Sequence, residues 1–212
     1  MKTLQHKHII KWFELASLTL RENKDYLTKL DSEIGDADHG FNMERGFNKV
    51  HNKLEEFSLN TDLGAIFKNM GMTLISSIGG ASGPLYGTFF LQFGMAIVTK
   101  TELSLQDFVT AFEKGVNGVK LRGRASVGDK TMIDVLAPVA DRLKESLSEN
   151  NTFEKVFSDI VKSAEKSMKS TVPLIAKKGR ASYLGARSVG HQDAGATSSY
   201  LILKSLKEAI EE

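Results

Sequence analysis

The stretch LDSEIGDADHGFNMERG, from Leu30 to Gly46, sets five acidic side chains, one histidine and three glycines in seventeen residues. Asp31, Asp36 and Asp38 stand at i, i+5 and i+7. On a continuous helix Asp31 and Asp38 would share a face roughly two turns apart, while Asp36 would point roughly 140° away. The three can converge on one ion only if the backbone turns between them, and Gly35 and Gly40 supply the freedom for that turn. Carboxylates held together repel one another unless a cation neutralises them, and oxygen-only ligation suits Mg2+ or Ca2+ better than zinc. The loop reads as a hard-metal site. An EF-hand is excluded by the spacing: with Asp36 at position one, Gly40 falls at five and Phe47 takes the place of the closing glutamate. An exposed acidic turn capping a helix is the competing reading. His39 could offer a ring donor to a phosphate oxygen, or serve as a hydrogen-bonded turn histidine.

A second clue is Gly79-Gly80-Ala81-Ser82-Gly83-Pro84. Pro84 suits the first position of a helix, and Ser82 or Gly83 suits its cap. Small side chains would let the backbone and the Ser82 hydroxyl reach a phosphate oxygen, with the new helix adding a favourable field. No GxxxxGK[ST] occurs, which excludes a Walker-type loop. Alone, the segment also fits a tight bend between buried helices; beside three carboxylates it reads as the other half of a Mg2+–diphosphate clamp. Gly128-Asp129-Lys130-Thr131-Met132 again joins glycine to a helix start, and Gly185-Ala186-Arg187 precedes Gly190-His191-Gln192-Asp193-Ala194-Gly195. Lys130, Arg180 and Arg187 are either phosphate- or partner-facing cations or solvated surface charges. Asp129 fits a cap, and Asp193 could fix the last helix or a nucleotide.

The elements that must position these groups are helical. Ile9, Trp12, Phe13, Ala16 and Leu20 recur at helical spacing, as do Ile133, Leu136, Ala137, Ala140, Leu143 and Leu147, and Phe153, Phe157, Ile160, Val161, Ala164 and Met168. Ser104 before Asp107, Thr131 before Asp134 and Asn151 before Glu154 mark helix starts. The pattern predicts about eight helices, near 4–21, 41–57, 61–78, 83–99, 104–121, 131–148, 151–178 and 195–211, in an all-α fold without an extensive sheet. Met70 to Phe93 carries no charged residue, which predicts a helix pair central in the bundle. At 212 residues and 41% hydrophobic content the chain can build one substantial core in one domain. It has no cysteine, hence no disulfide or thiolate site, and no apolar run of signal-peptide or membrane-spanning length. A cytoplasmic protein is the simple expectation. With 28 Lys+Arg against 26 Asp+Glu and no long basic stripe, nucleic acid is disfavoured as a partner.

Four segments together, EIGDADHG with Asp31 upstream, GGASGPLYG, GDKTMIDVL and RASYLGARSVGHQDAGATS, resemble the L subunits of bacterial dihydroxyacetone kinase, the nucleotide-binding DhaL family. They run in order from Asp31 to Ser198, so the resemblance covers essentially the whole chain. It implies a single domain over residues 1–212 built as a closed eight-helix antiparallel barrel, with nucleotide-binding loops at one end. By the same resemblance Asp31, Asp36 and Asp38 match the family carboxylates that hold two Mg2+ against the nucleotide diphosphate, and His39 and Ser82 match phosphate-proximal positions. Gly80, Ala81, Gly128, Thr131, Met132, Arg180 and Asp193 fall in the nucleotide-binding surround. GHQDAG has Ala194 where many relatives have proline, a local departure that leaves the carboxylates untouched.

The function implied is phosphoryl transfer with ADP/ATP as a tightly bound coenzyme. A phosphohistidine on an M subunit of the phosphotransferase system would phosphorylate the ADP, which would then donate to dihydroxyacetone on a K subunit; no covalent nucleophile from this chain is needed. In fused ATP-dependent kinases of the family an L-like domain sits beside a substrate-binding K domain, for which this chain has no room. An L-like domain of another ATP-dependent kinase, and a nucleotide-bound regulatory protein without transfer activity, are the alternatives. A homodimer is compatible with the sequence, which leaves the oligomeric state open.

Overall fold

The computed structural model describes residues 3–57, 61–149 and 151–211. Nine α-helices stand among them: α1 (His6–Glu22), α2 (Lys24–Ile34), α3 (His39–His51), α4 (Leu63–Ser77), α5 (Ser82–Ala96), α6 (Leu105–Gly123), α7 (Ile133–Ser146), α8 (Phe153–Lys169) and α9 (Ala194–Glu211). Short 3-10 segments cover Leu54–Glu56 and Arg180–Ser188, and Leu4–Gln5 pairs antiparallel with Glu102–Leu103. The extra helix relative to the sequence expectation is α2. Its Leu27, Leu30 and Ile34 are buried, a helical face that the three aspartates beside it obscure.

Neighbours in space follow the order of the chain. α3 meets α4, α4 meets α5, and so on through α9, while α1 packs against both α3 and α9 and α2 lies on α3 and α9. The core is one cluster running from Leu4 to Ile210. Rings form much of it: Phe13 and Phe90 lie 5.2 Å apart, Phe67 and Phe93 4.3 Å, and Phe108 and Phe157 5.0 Å between centroids. Each such side chain, withdrawn from water, stabilises the fold by about 1.5–3 kcal/mol. Trp12 adds a polar tie, its Nε1–H donating to the Ile202 carbonyl at 2.9 Å and joining α1 to α9.

Several helix ends differ from the sequence expectation for local reasons. Ser104 and Asp107 form the expected capping box at α6, but α8 is capped by Thr152 rather than Asn151. It also stops at Lys169 instead of running to 178: the hydroxyls of Ser170 and Thr171 donate back to the carbonyls of Ser167 and Met168, and Pro173 follows. At α5 neither Ser82 nor Gly83 is the cap. Ala81 occupies that place, Ser82 is the first helical residue and Pro84 the third, so the Ser82 hydroxyl is released for other work.

The pair α4–α5 is a wall of the bundle and not its centre, since Met72 is 63% exposed. Its inner contact is backbone on backbone. A Cβ on Gly71 would meet the Gly87 carbonyl oxygen at 2.7 Å, and one on Gly87 would meet that of Gly71 at 2.6 Å. This approach fixes where the start of α5 stands. Gly87→Ala should therefore force the two helices apart and cost about 1–3 kcal/mol, read as a lower denaturant midpoint at unchanged slope.

Candidate functional site

Asp31 ends its carboxylate at the turn between α2 and α3. Its Oδ2 accepts the amide protons of Asp38 at 2.9 Å and of His39 at 3.1 Å. Gly35 is needed there because a Cβ would collide with the Asp31 carboxylate. Ala37 takes φ of 60°, a left-handed conformation that non-glycine residues adopt at a cost of about 1–3 kcal/mol. The result is that carboxylate oxygens of Asp31, Asp36 and Asp38 lie within 4.8 Å of one another. Such a set could hold a hard divalent cation. Arg180 adjoins the cluster, its Nε 2.8 Å from Asp36 Oδ2.

The cluster opens into a cavity of about 510 Å3 at one end of the bundle, bounded by the α2–α3, α4–α5, α6–α7 and α8–α9 connections. Of the residues singled out in the sequence, Asp31, Asp36, Asp38, His39, Gly80, Ala81, Ser82, Lys130, Thr131, Met132, Arg180 and Asp193 line it together. Gly128 does not; it sits in the left-handed region at φ of 90° and donates its amide to Asp134 Oδ1 at 2.6 Å, which shapes the loop behind the wall. The other Asp134 oxygen accepts the Thr131 amide at 2.7 Å, and Thr131 Oγ1 accepts that of Ile133, so this helix start is braced in both directions. Leu85, Val119 and Ile133 add an apolar surface to the lining; Leu85 and Ile133 lie within sequence motifs but are not singled out by them, and Val119 lies outside all of them.

His39 is buried, and both its ring nitrogens are engaged: Nδ1 lies 3.1 Å from Ser82 Oγ and Nε2 2.8 Å from Ser198 Oγ. Burial lowers its pKa, against the opposing pull of Asp31 and Asp38. Asp193 caps α9, accepting the Ala196 amide at 2.6 Å, and also faces the cavity. Burial pushes its carboxyl up to about 7, with the charges of Asp134 and Asp31 acting in the same direction and the Ala196 amide and Lys130 opposing.

Lys130 departs furthest from its expected place as a phosphate-facing or surface cation. It is 1% exposed, and its ammonium donates to the carbonyls of Ser188 at 2.7 Å, Leu174 at 3.1 Å and Val172 at 3.3 Å. The lysine thereby ties the α8–α9 connection, which carries Arg180, to the start of α7. Gly190 N–H to the Val172 carbonyl and Ala176 N–H to Ser188 Oγ, both 2.9 Å, close that connection on itself. Arg187 is exposed. Asp129 braces the α6–α7 connection, its Oδ2 accepting the Ser126 amide at 2.9 Å.

A DAK2-domain family model matches residues 33–208. The ADP-binding subunit DhaL of PEP-dependent dihydroxyacetone kinase from Escherichia coli (strain K12) is 45% identical, over 99% of this chain and 100% of that protein. The corresponding subunit of the PTS-dependent dihydroxyacetone kinase of Lactococcus lactis is 38% identical over 95% of this chain and 96% of that one. Among solved structures, the dihydroxyacetone kinase of C. freundii superposes with a TM-score of 0.73 at 25% identity over 94% of this chain, and its complex with AMP-PNP and Mg2+ with 0.72 at 26%. This chain spans about a third of the length of those structures, 34% and 33%.

Lys130→Met should leave three carbonyls without a donor and cost about 2–4 kcal/mol. Limited proteolysis between residues 172 and 190 should accelerate along with the loss of stability seen in denaturation.

Proposed function

Because the chain belongs to the DAK2-domain family, we propose that it is the ADP-binding, phosphoryl-transferring subunit of a phosphoenolpyruvate-dependent dihydroxyacetone kinase. The observation that carries this reading is the convergence of three carboxylates, Ser82 and Arg180 on one cavity, in a chain that matches DhaL subunits over their full length. The C. freundii kinase chain is about three times as long, and the match to DhaL subunits over their full length favours the multi-subunit arrangement. ADP would act as a coenzyme, charged by a phosphohistidine of an M subunit and discharged to dihydroxyacetone on a K subunit.

The donor set fits magnesium, being all oxygen and of high negative charge. Asp31, Asp36 and Asp38 would hold two Mg2+. When bound, these ions would screen phosphate charge and fix the phosphates for in-line transfer. The chain's own groups do the remaining work. Ser82, freed from capping, offers its hydroxyl to a phosphate oxygen at the start of α5, where the helix field favours negative charge. Arg180 supplies a guanidinium beside the carboxylates, in contact with Asp36. Leu85, Val119, Met132 and Ile133 suit the flat apolar base, and the wall they form excludes water from one side of the nucleotide.

For the architecture, a single domain over residues 1–212 in a closed antiparallel barrel is the reading that α1, in contact with both α3 and α9, supports best. The four connections around the cavity alternate with those at the far end once α2 is set aside, as antiparallel helices require. No helix among the described residues is long and apolar enough to cross a membrane, and a cytoplasmic location is proposed with the function.

Asp36→Asn keeps shape while removing one charge. Mg2+-dependent ADP retention should fall by at least about 100-fold, since a direct ligand should cost no less than the roughly 10–100-fold of an outer-shell partner, with helicity by circular dichroism unchanged. Unchanged ADP affinity at fixed Mg2+ would remove the metal assignment. The function itself is tested by loading the protein with isotopically labelled ADP, removing free nucleotide and adding K subunit, phosphorylated M subunit and dihydroxyacetone. The expected result is many product molecules per bound label with the label retained. Release of one label per product, or equal turnover from free ATP without M subunit, would make the protein part of an ordinary ATP-dependent kinase.

A further inference from the structure

A chain of hydrogen bonds leads from the cavity into the core. It starts at Ser82 Oγ, 3.1 Å from His39 Nδ1, and passes from His39 Nε2 to Ser198 Oγ at 2.8 Å. From Ser198 Oγ it reaches the Tyr86 hydroxyl at 2.7 Å, which also lies 2.8 Å from Ser199 Oγ and 3.0 Å from the Gly195 carbonyl. Ser82 and Tyr86 are one turn apart on α5, so the path leaves α5, crosses α3 and α9 and returns to α5. His39, Tyr86, Ser198 and Ser199 are all buried.

A neutral imidazole has one donor and one acceptor nitrogen. Ser198 Oγ also lies 3.2 Å from the Gly195 carbonyl, but this is the longest of its contacts, and with the Ser198 proton directed along the shorter ones the chain has two proton arrangements. In the first, Tyr86 donates to Ser198, Ser198 donates to Nε2, and Nδ1–H donates to Ser82. The Ser82 proton is then free to point into the cavity. In the second, every bond is reversed; Ser82 spends its proton on Nδ1 and shows the cavity only lone pairs. An anionic phosphate oxygen is served by the first arrangement and repelled by the second.

Three features favour the first. A phenol hydroxyl is a better hydrogen-bond donor and a poorer acceptor than an aliphatic hydroxyl. The shortest contact of the Tyr86 hydroxyl is with Ser198. The Gly195 carbonyl, its other strong acceptor, lies farther from the Tyr86 hydroxyl, at 3.0 Å, and is shared with the hydroxyls of Ser199 at 2.9 Å and Ser198 at 3.2 Å. Burial raises the Tyr86 pKa far above the usual phenol value, so the hydroxyl keeps its proton and can donate it.

We propose that Tyr86 is a positioning residue for phosphoryl transfer: by donating to Ser198 it fixes His39 as the Nδ1–H tautomer and so aims the Ser82 hydroxyl proton at a phosphate oxygen in the cavity. This rests on the phosphate-binding reading of the cavity, but the tautomer can be read without any nucleotide. It also gives His39 a place in the mechanism without phosphate contact, since both of its nitrogens are already committed.

The test begins with the nucleotide-free protein carrying 15N-labelled histidine, with the His39 signals assigned by their absence in His39→Gln. Long-range 1H–15N spectra should show Nδ1 protonated in the unsubstituted protein, and Tyr86→Phe should shift the ring towards Nε2–H. In the complete mixture with K and phosphorylated M subunits, Tyr86→Phe should lower kcat about 10-fold, the loss of one aligned hydrogen bond, with the KM for dihydroxyacetone unchanged. In a Ser82→Ala background the same substitution should add nothing further, because Tyr86 acts through Ser82. An Nε2–H ring in the unsubstituted protein overturns the proposal even if Tyr86→Phe fails to fold. An unmoved tautomer in Tyr86→Phe, or rate losses that multiply across the double variant, would reduce Tyr86 to a packing role. Failure to bind ADP at all would instead remove the function proposed above and leave the tautomer result standing.

Discussion

Asp31 Oδ2 accepts the amide protons of both Asp38 and His39, and this pair of bonds turns the chain through Gly35 and Ala37 so that α3 begins where three carboxylates meet. The arrangement works against itself electrostatically. The facing oxygens lie within 4.8 Å of one another, and at that limit each carboxylate pair repels by about 1 kcal/mol in water and about 3.5 kcal/mol at an effective dielectric of 20. Charge-assisted bonds from the two amides and the Arg180 guanidinium offset part of that. The remainder makes the site selective for cations, since a divalent ion relieves a repulsion already built into the fold.

The rest of the molecule holds the other groups where that cluster can use them. Glycine contacts between α4 and α5 set the position of Ser82 from one side. Lys130 sets Arg180 from another by gathering three carbonyls of the α8–α9 connection around one ammonium. A buried cation of this kind is costly to dehydrate, and burial lowers its pKa. Its retention is understandable where the alternative is a long connection free to carry Arg180 away from Asp36. The buried rings of α1, α4, α5, α6 and α8 provide stability at a distance from the cavity, which leaves the loop end free to carry strain such as that at Ala37.

Much of this was legible in the sequence because the chemistry sits in short, local patterns. The trio of Asp31, Asp36 and Asp38 with Gly35 between demanded a turn, and GGASGP demanded a bare helix start. The apolar faces of α1, α7 and α8 follow from periodicity alone, Ile9, Trp12, Phe13, Ala16 and Leu20 all being buried as spaced. Less legible were features set by long-range packing. Helix α2 shares its residues with the acidic cluster, and polar composition there argued for a loop. Lys130 reads as a solvated cation unless the carbonyls of residues 172, 174 and 188 are known to converge on it. The link from His39 to Tyr86 spans α3, α5 and α9, and Ser198 has no sequence signal beyond its place in a run of small polar residues.

The account stands most directly on whether this chain holds a metal-bound nucleoside diphosphate as a resident group. Native mass spectrometry of the protein, purified in Mg2+ buffer without added nucleotide, measures this at once. The predicted mass exceeds the polypeptide by one ADP and two Mg2+, and treatment with a chelator should release the ions and the nucleotide together. A bare polypeptide mass, or a nucleotide that stays after the metal is stripped, would contradict it.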